Sequence, residues 1–283
     1  MAASSANLSS LITTDALFRS LFSPLSDALT AAGWSKVWNN IDWATVVKPT
    51  TPGTVAGSEV WAMQDSLQAT APLFLKVDYG TGTGATYPSL WVTVATGHDG
   101  AGNLTGSMTT RRLITITATA NVYNCRFSGE VNRFCCWYGQ SSTATNDHYG
   151  FSVERSHGST GADTGDGALC LSFAYNTGFS QVLSAVGSVP VSYSHWNCTA
   201  PPTGTYADAA DIYLAAVRGW GKGESSASLN FFMVFSADLS PSVSVPATLW
   251  DGTTHTIMPS ANVSIPNTTL FYGGTVVLAM RFD

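Results

Sequence analysis

The chain has 283 residues, of which 45% are hydrophobic, 11% aromatic and only 11% charged, with a net charge of −6 at pH 7. A charged fraction under half of the ~25% usual in soluble domains argues against a chain that lives alone in water, while the apolar content supplies a real core and excludes extensive disorder. The acidic balance, with Arg111-Arg112 as the one adjacent basic pair, excludes a binder of duplex nucleic acid, which needs several phosphate-neutralising groups on one face.

Residues 1–12 read as a flexible arm of small and polar residues, with no basic region of the kind that opens a signal peptide. The apolar stretch behind it is broken by Asp15, Arg19 and Ser23-Pro24, so no membrane span is expected. Residues 13–33 form a helical docking segment. Leu17, Leu21, Leu25 and Leu29 recur every fourth residue, flanked by Phe18, Phe22 and Ala28, which makes a broad apolar stripe. Thr13 or Thr14 offers a capping oxygen, Asp15 a negative charge for the positive helix end, and Gly33 a stop. Pro24 removes one helical hydrogen bond, which predicts either a kinked helix over 15–32 or two short helices jointed at Ser23-Pro24. The stripe can dock on the chain's own sheet or pack against a neighbouring subunit. In the second case Leu17, Phe18, Leu21, Phe22, Leu25 and Leu29 are the candidate interface, and a chain lacking residues 1–33 keeps a folded β body but loses its place in an assembly.

From Trp34 onward the period changes to two. Runs at 59–63, 74–79 and 90–94 read as strands, separated by turn-rich loops at 80–84 and 97–106. Further strands are predicted at 113–120, 122–127, 133–138, 150–155, 168–174, 181–186, 228–236, 254–258 and 275–282, with a loop containing one helical turn over 207–217. Short strands at regular spacing indicate a mainly β fold, one or more antiparallel β-sandwiches behind a short N-terminal helical segment. The predicted division is an N-terminal β domain over 34–112 and a C-terminal β-sandwich domain over 113–283.

The five cysteines, Cys125, Cys135, Cys136, Cys170 and Cys198, are odd in number and match no zinc spacing, so they read chiefly as buried thiols, with a Cys125–Cys135 bridge as the alternative. Asp163-Thr164-Gly165 copies the core of an aspartic-protease motif but lacks the apolar strand before it, and reads as a hairpin loop. Asp163 with Asp166, and Asp99 with Asn103, offer too few oxygens for calcium. No nucleophile elbow, metal-binding helix or phosphate loop is present, so the expectation is a non-enzyme with no catalytic residue, metal or cofactor. Tryptophans in polar or Gly-rich settings are candidate ligand platforms for a sugar: Trp220 above all, then Trp196 and Trp250.

Several stretches resemble a group of tailed-bacteriophage virion proteins: Phe18–Trp34, Ile41–Val46, Glu59–Gly82, Pro88–Val94, Gly150–Ser156, Gly161–Gly167, Trp250–Met258 and Leu278–Asp283. The resemblance implies a virion structural component of the tail, neck, baseplate or fibre region, assembled in the host cytoplasm, and carries no catalytic residue with it. Its expected partners are other copies of itself in a symmetric homo-oligomer and other virion proteins. A host-receptor protein that binds a surface glycan is the alternative.

Overall fold

The two-residue alternation becomes strands almost everywhere it is strong. The computed structural model describes residues 2–9, 14–84, 86–116, 122–140, 148–157, 162–175, 179–187, 213–221, 224–235, 245–248, 254–259 and 276–281. Among them are seventeen strands and one helix. The first part contains β1 (Ala2–Ser9), α1 (Asp15–Ala31), β2 (Ser35–Asn39), β3 (Val55–Ala62), β4 (Phe74–Thr81), β5 (Pro88–His98), β6 (Leu104–Met108) and β7 (Arg112–Thr115). The middle contains β8 (Val122–Glu130), β9 (Arg133–Gln140), β10 (His148–His157), β11 (Asp163–Tyr175) and β12 (Phe179–Gly187). The last part contains β13 (Tyr213–Gly221), β14 (Glu224–Phe235), β15 (Val245–Thr248), β16 (Thr254–Pro259) and β17 (Val276–Arg281).

These strands form three antiparallel sheets. The first runs β2-β3-β4-β5-β6, with β7 also paired to β5; the second runs β1-β8-β9-β10-β11-β12; the third runs β13-β14-β17-β16-β15. The mainly β class with a single N-terminal helix is as expected. The first two sheets face each other across one core, in a sandwich-like packing. Leu75, Val77 and Tyr79 of β4 and Leu90, Val92 and Val94 of β5 meet Phe127, Phe134, Cys136, Tyr138, Phe151 and Val153 of the second sheet. The third sheet lies against the other side of the second, with β14 over β9 and β10.

This arrangement corrects the predicted division at 112/113. That cut falls inside β7, which pairs with β5, and it separates two sheets that bury a common core. The N-terminal arm is corrected as well. Ala2–Ser9 pairs residue for residue with Ser9↔Val122 through Ala2↔Gly129, because an uncovered β8 would leave a row of backbone groups without partners. The loop with a helical turn expected over 207–217 is strand β13 from Tyr213 on, its first part lying outside the described residues, and β2, β6 and β15 are strands that the periodicity did not announce.

The helix is continuous from Asp15 to Ala31 with Pro24 inside it. Thr14 caps it, its side chain accepting from Leu17 N at 3.2 Å. Gly33 turns the chain away in the left-handed region at φ +88°, where a Cβ would also meet Val131 at 2.9 Å. Phe18, Leu21, Phe22, Leu25 and Leu29 are fully buried within the chain, and Leu17 is partly buried. The candidate subunit interface is therefore an internal one: the stripe fills the space beside both sheets. The Phe22 ring shows why, lying 5.5 Å from Tyr79 of the first sheet and 6.2 Å from Tyr138 of the second. Phe22→Ala is expected to cost about 3–5 kcal/mol in urea unfolding followed by tryptophan fluorescence. Deletion of residues 1–33 is expected to abolish the fold instead of leaving a folded body; a native-like melt of the truncated chain would contradict this placement.

Candidate functional site

The sequence-predicted platforms come together nowhere among the described residues. Trp220 lies near the end of β13 opposite Ser225, while Trp196 and Trp250 lie outside the described residues. Trp137, on β9, is buried. Among the described residues, three other places gather polar side chains.

The first is Glu59 on β3, fully buried beneath α1. Its two oxygens accept from Tyr79 Oη at 2.8 Å, Ser26 Oγ at 2.9 Å, Trp43 Nε1 at 3.2 Å and Trp61 Nε1 at 3.3 Å. Lys36 Nζ of β2 closes the set at 2.7 Å and lies 4.7 Å from the Trp61 ring centroid. A carboxylate this deep is tolerated only when paired and fully hydrogen-bonded, and here the donors come from α1, β2, the 42–46 turn, β3 and β4. With its lone pairs occupied it fastens the helix to the first sheet; it is not a waiting acid or base.

The second is the end of β10. Arg155, fully buried, donates through Nε and Nη2 to the two oxygens of Asp65, the latter at 2.9 Å, and through Nη1 to Ala71 O at 3.0 Å. This bidentate pair ties the second sheet to the β3–β4 connection. Two residues on, His157 lies between Asp163 Oδ1 at 3.0 Å from Nδ1 and Glu154 Oε2 at 3.8 Å from Nε2. Burial presses the imidazole pKa down, but the contacts and charges of Asp163 and Glu154 outweigh that and hold it at about 9. For Asp163, burial pushes upward, and the contacts of His157 and of Asn132 Nδ2 at 2.7 Å bring its pKa below the ordinary value. The protease-like triplet opens β11 instead of lying in a hairpin loop as expected, because Asp163 pairs with His157 of β10, and it has a histidine and an amide where that chemistry requires a second carboxyl. Nor does His157 activate a nucleophile: the Ser156 hydroxyl lies 2.6 Å from that of Thr164 and donates to Gly167 O at 3.1 Å.

The third is the outer face of the first sheet, which the sequence reading missed because its residues are spread over 38–111. Asp78 of β4 accepts from Ser58 Oγ at 2.6 Å and from Arg111 Nε at 2.8 Å. The Arg111 guanidinium lies 4.6 Å from the Trp91 ring, and Lys76 Nζ lies 5.9 Å from the Trp38 ring while donating to Gly102 O at 2.9 Å. Both indoles are therefore covered by cations, and Gly102 packs on Trp38 so closely that a Cβ would come within 2.6 Å of its ring. Beside them, Asp99 accepts from its own loop, from Asn103 Nδ2 at 2.7 Å and from the amides of Ala101 and Asn103, which lower its pKa to about 2.

Among the described residues no group of three or more His, Cys, Asp or Glu is placed to hold a metal ion, and no helix is long and apolar enough to cross a membrane. Cys125, Cys135, Cys136 and Cys170 are buried thiols. Burial pushes Cys125 and Cys135 up to about 12. Cys125 pairs in register with Tyr138 and lies in the core, whereas Cys135 pairs with Ser128 on the opposite face, so no bridge joins them. Comparison of the chain with known protein families and with curated proteins finds no match.

Two outcomes follow from this geometry. Glu59→Ala leaves Lys36 unpaired and several buried donors unmet, and is expected to cost roughly 3–5 kcal/mol in chemical denaturation. His157, whose pKa is raised by folding, contributes stability that is complete below about pH 6.5 and is lost as pH rises through about 9. The melting temperature should therefore fall across that interval, by the equivalent of at most about 3 kcal/mol, and the slope should flatten in His157→Gln. An unchanged slope in the variant would refute the assignment.

Proposed function

We propose that this chain is a non-enzymatic structural component of a tailed-phage virion, associated with the tail, baseplate or fibre region and working as a symmetric homo-oligomer. The supporting observation is a surface depleted of charge twice over. The chain has only twelve Lys and Arg and eighteen Asp and Glu, and among the described residues six of these, Glu59, Asp78, Arg133, Glu154, Arg155 and Arg281, are buried. A surface with so few charges resists self-association poorly. The first sheet also ends on short margins, β2 and β6, whose residues are mostly exposed, with Val37 and Met108 in the open. Such margins are hazards on a solitary molecule and contact sites in an assembly. The resemblance of the stretches over 18–94 and 150–167 to virion proteins points the same way.

A glycan-binding role on the same particle ranks below this reading, since Trp38 and Trp91 on the outer face already carry Lys76 and Arg111 over their rings. Sedimentation velocity over a hundredfold concentration range is expected to show discrete self-association, and antibody labelling of purified particles to place the chain on the tail by electron microscopy. A species that stays monomeric throughout, together with unlabelled particles, would end the proposal.

A further inference from the structure

β1 relieves β8 of an open edge and takes that edge over. Antiparallel pairing turns only alternate residues of a strand toward each neighbour, so half the N–H and C=O groups of Ala2–Ser9 point away from β8. Among the described residues no strand pairs with them. The other sheet margins are short, irregular or covered. β2 and β6 have five residues each and lose register on their neighbours, β2 between Lys36 and Trp38 and β6 against Ala95 and Gly97. They offer side-chain contacts but no long ladder. β13 is bulged between Ala216 and Arg218, and β15 has four residues, one of them Pro246. β12 is long and regular, but it lies against β5 and β6, with Gly187 N donating to Ser107 Oγ at 3.2 Å. Among the described margins, β1 alone has eight residues in unbroken register with no charge, proline or glycine. Bulges, prolines, charges and brevity are what keep an edge from pairing with another chain, and β1 has none of them.

The helix extends this surface. α1 packs against β1, β8 and β2, so it fills the side of the sandwich where β1 and β2 are the margins, and its exposed residues look out beside the open edge. Ala16, Ser20, Asp27, Thr30 and Ala31 are exposed there, all of them short, with Asp27 the one charge among them. Arg19 is held back by donating through Nη1 to Val46 O at 2.8 Å.

We propose that the open edge of β1 pairs antiparallel with the same edge of a second copy of this chain about a two-fold axis, joining two six-stranded sheets margin to margin. This self-pairing presupposes the homo-oligomer proposed above and assigns it an interface. The axis sets a central residue of β1 against its own counterpart and pairs the residues on either side reciprocally. With Ser5 at the centre, Ser4 faces the partner's Ala6 and Ala3 the partner's Asn7. No such pair sets like charges against each other. A foreign strand laid on β1 carries an open edge outward again, whereas an identical copy ends the series. Both helices then lie on one side of the joined sheet, where short side chains let them approach.

Charges at the centre of β1 test the pairing. Ser5→Lys and Ser5→Glu each set like charges across the axis. In sedimentation velocity each is expected to weaken self-association about tenfold or more, with the melting temperature kept, and an equal mixture of the two to restore it. Single cysteines in place of Ser4, Ser5, Ala6 and Asn7 give a readout that needs no charge. Mild oxidation is expected to link one of these chains into a covalent dimer and to leave the chains with cysteine at the adjacent positions largely unlinked, the alternation that a two-fold pair of strands imposes. Charge variants that associate as the native chain does, with no position-dependent link, would overturn the pairing and leave the assembly reading standing. A native chain that is monomeric at every concentration would overturn both. Particles that fail to take up Ser5→Lys although it self-associates normally would assign the edge to another virion chain and overturn the second copy as its occupant.

Discussion

A carboxylate shut away from water must find donors, and Glu59 finds them on every element that surrounds it. Ser26 places α1, Lys36 places β2, Trp43 places the turn after it, and Tyr79 and Trp61 belong to the sheet beneath. The arrangement fixes more than its own neighbourhood. With Ser26 held over β3, the helix can rotate only so that Phe18, Phe22 and Leu25 point inward, and Phe22 then reaches Tyr138 on the far sheet. The apolar core between the two sheets takes its shape from that rotation. Hydrophobic burial supplies most of the driving force, and the buried carboxylate selects one orientation among several that would bury similar area. Such use of a polar group to specify geometry has precedent in coiled-coil registers.

The helix itself was legible in the chain, including the Thr cap, the acidic first turn and the glycine that ends it. Its partner was not, because a stripe wide enough to bury on both flanks looks the same whether the covering surface is internal or belongs to a neighbour. Strands with β-branched or aromatic alternation, such as 74–79, 90–94 and 150–155, announced themselves. Among those that did not are β1, made of Ala, Ser and Asn with one Leu, and β6, Leu-Thr-Gly-Ser-Met. They lack the residues that favour a pleated surface and are strands because a neighbouring edge needs hydrogen-bond partners. The domain cut at 112/113 failed for a related reason: Arg111-Arg112 looks like punctuation, yet Arg111 is anchored on Asp78 and Trp91 and Arg112 already pairs with Val92.

Asp99 with Asn103 was visible in advance because the pair is local, but the clusters built across strands were not. Glu59, Lys36 and Tyr79 are separated by roughly twenty residues each, and Arg155 meets Asp65 across ninety. No spacing rule relates such residues; only the sheet register does. The same holds for the outer-face pairs of Trp38 with Lys76 and of Trp91 with Arg111. Sequence reasoning found aromatic residues in Gly-rich settings and nominated Trp220, Trp196 and Trp250, while Trp38 and Trp91 are held by cations, Trp43 and Trp61 by Glu59, and Trp34 by the core.

The four shut thiols carry a further meaning. Burial shuts water away from each and pushes the Cys125, Cys135 and Cys136 thiols above their ordinary range, and among the described residues no two of the four stand opposite each other in register. Neither glutathione nor dissolved oxygen has a handle on them while the fold persists. At these four positions the polypeptide is indifferent to electron supply, and it can pass from a reducing interior to an aerated exterior without covalent change. Its durability there is set by how seldom the strands part, since the first opening that wets Cys135 or Cys136 would also be the first chance for irreversible chemistry.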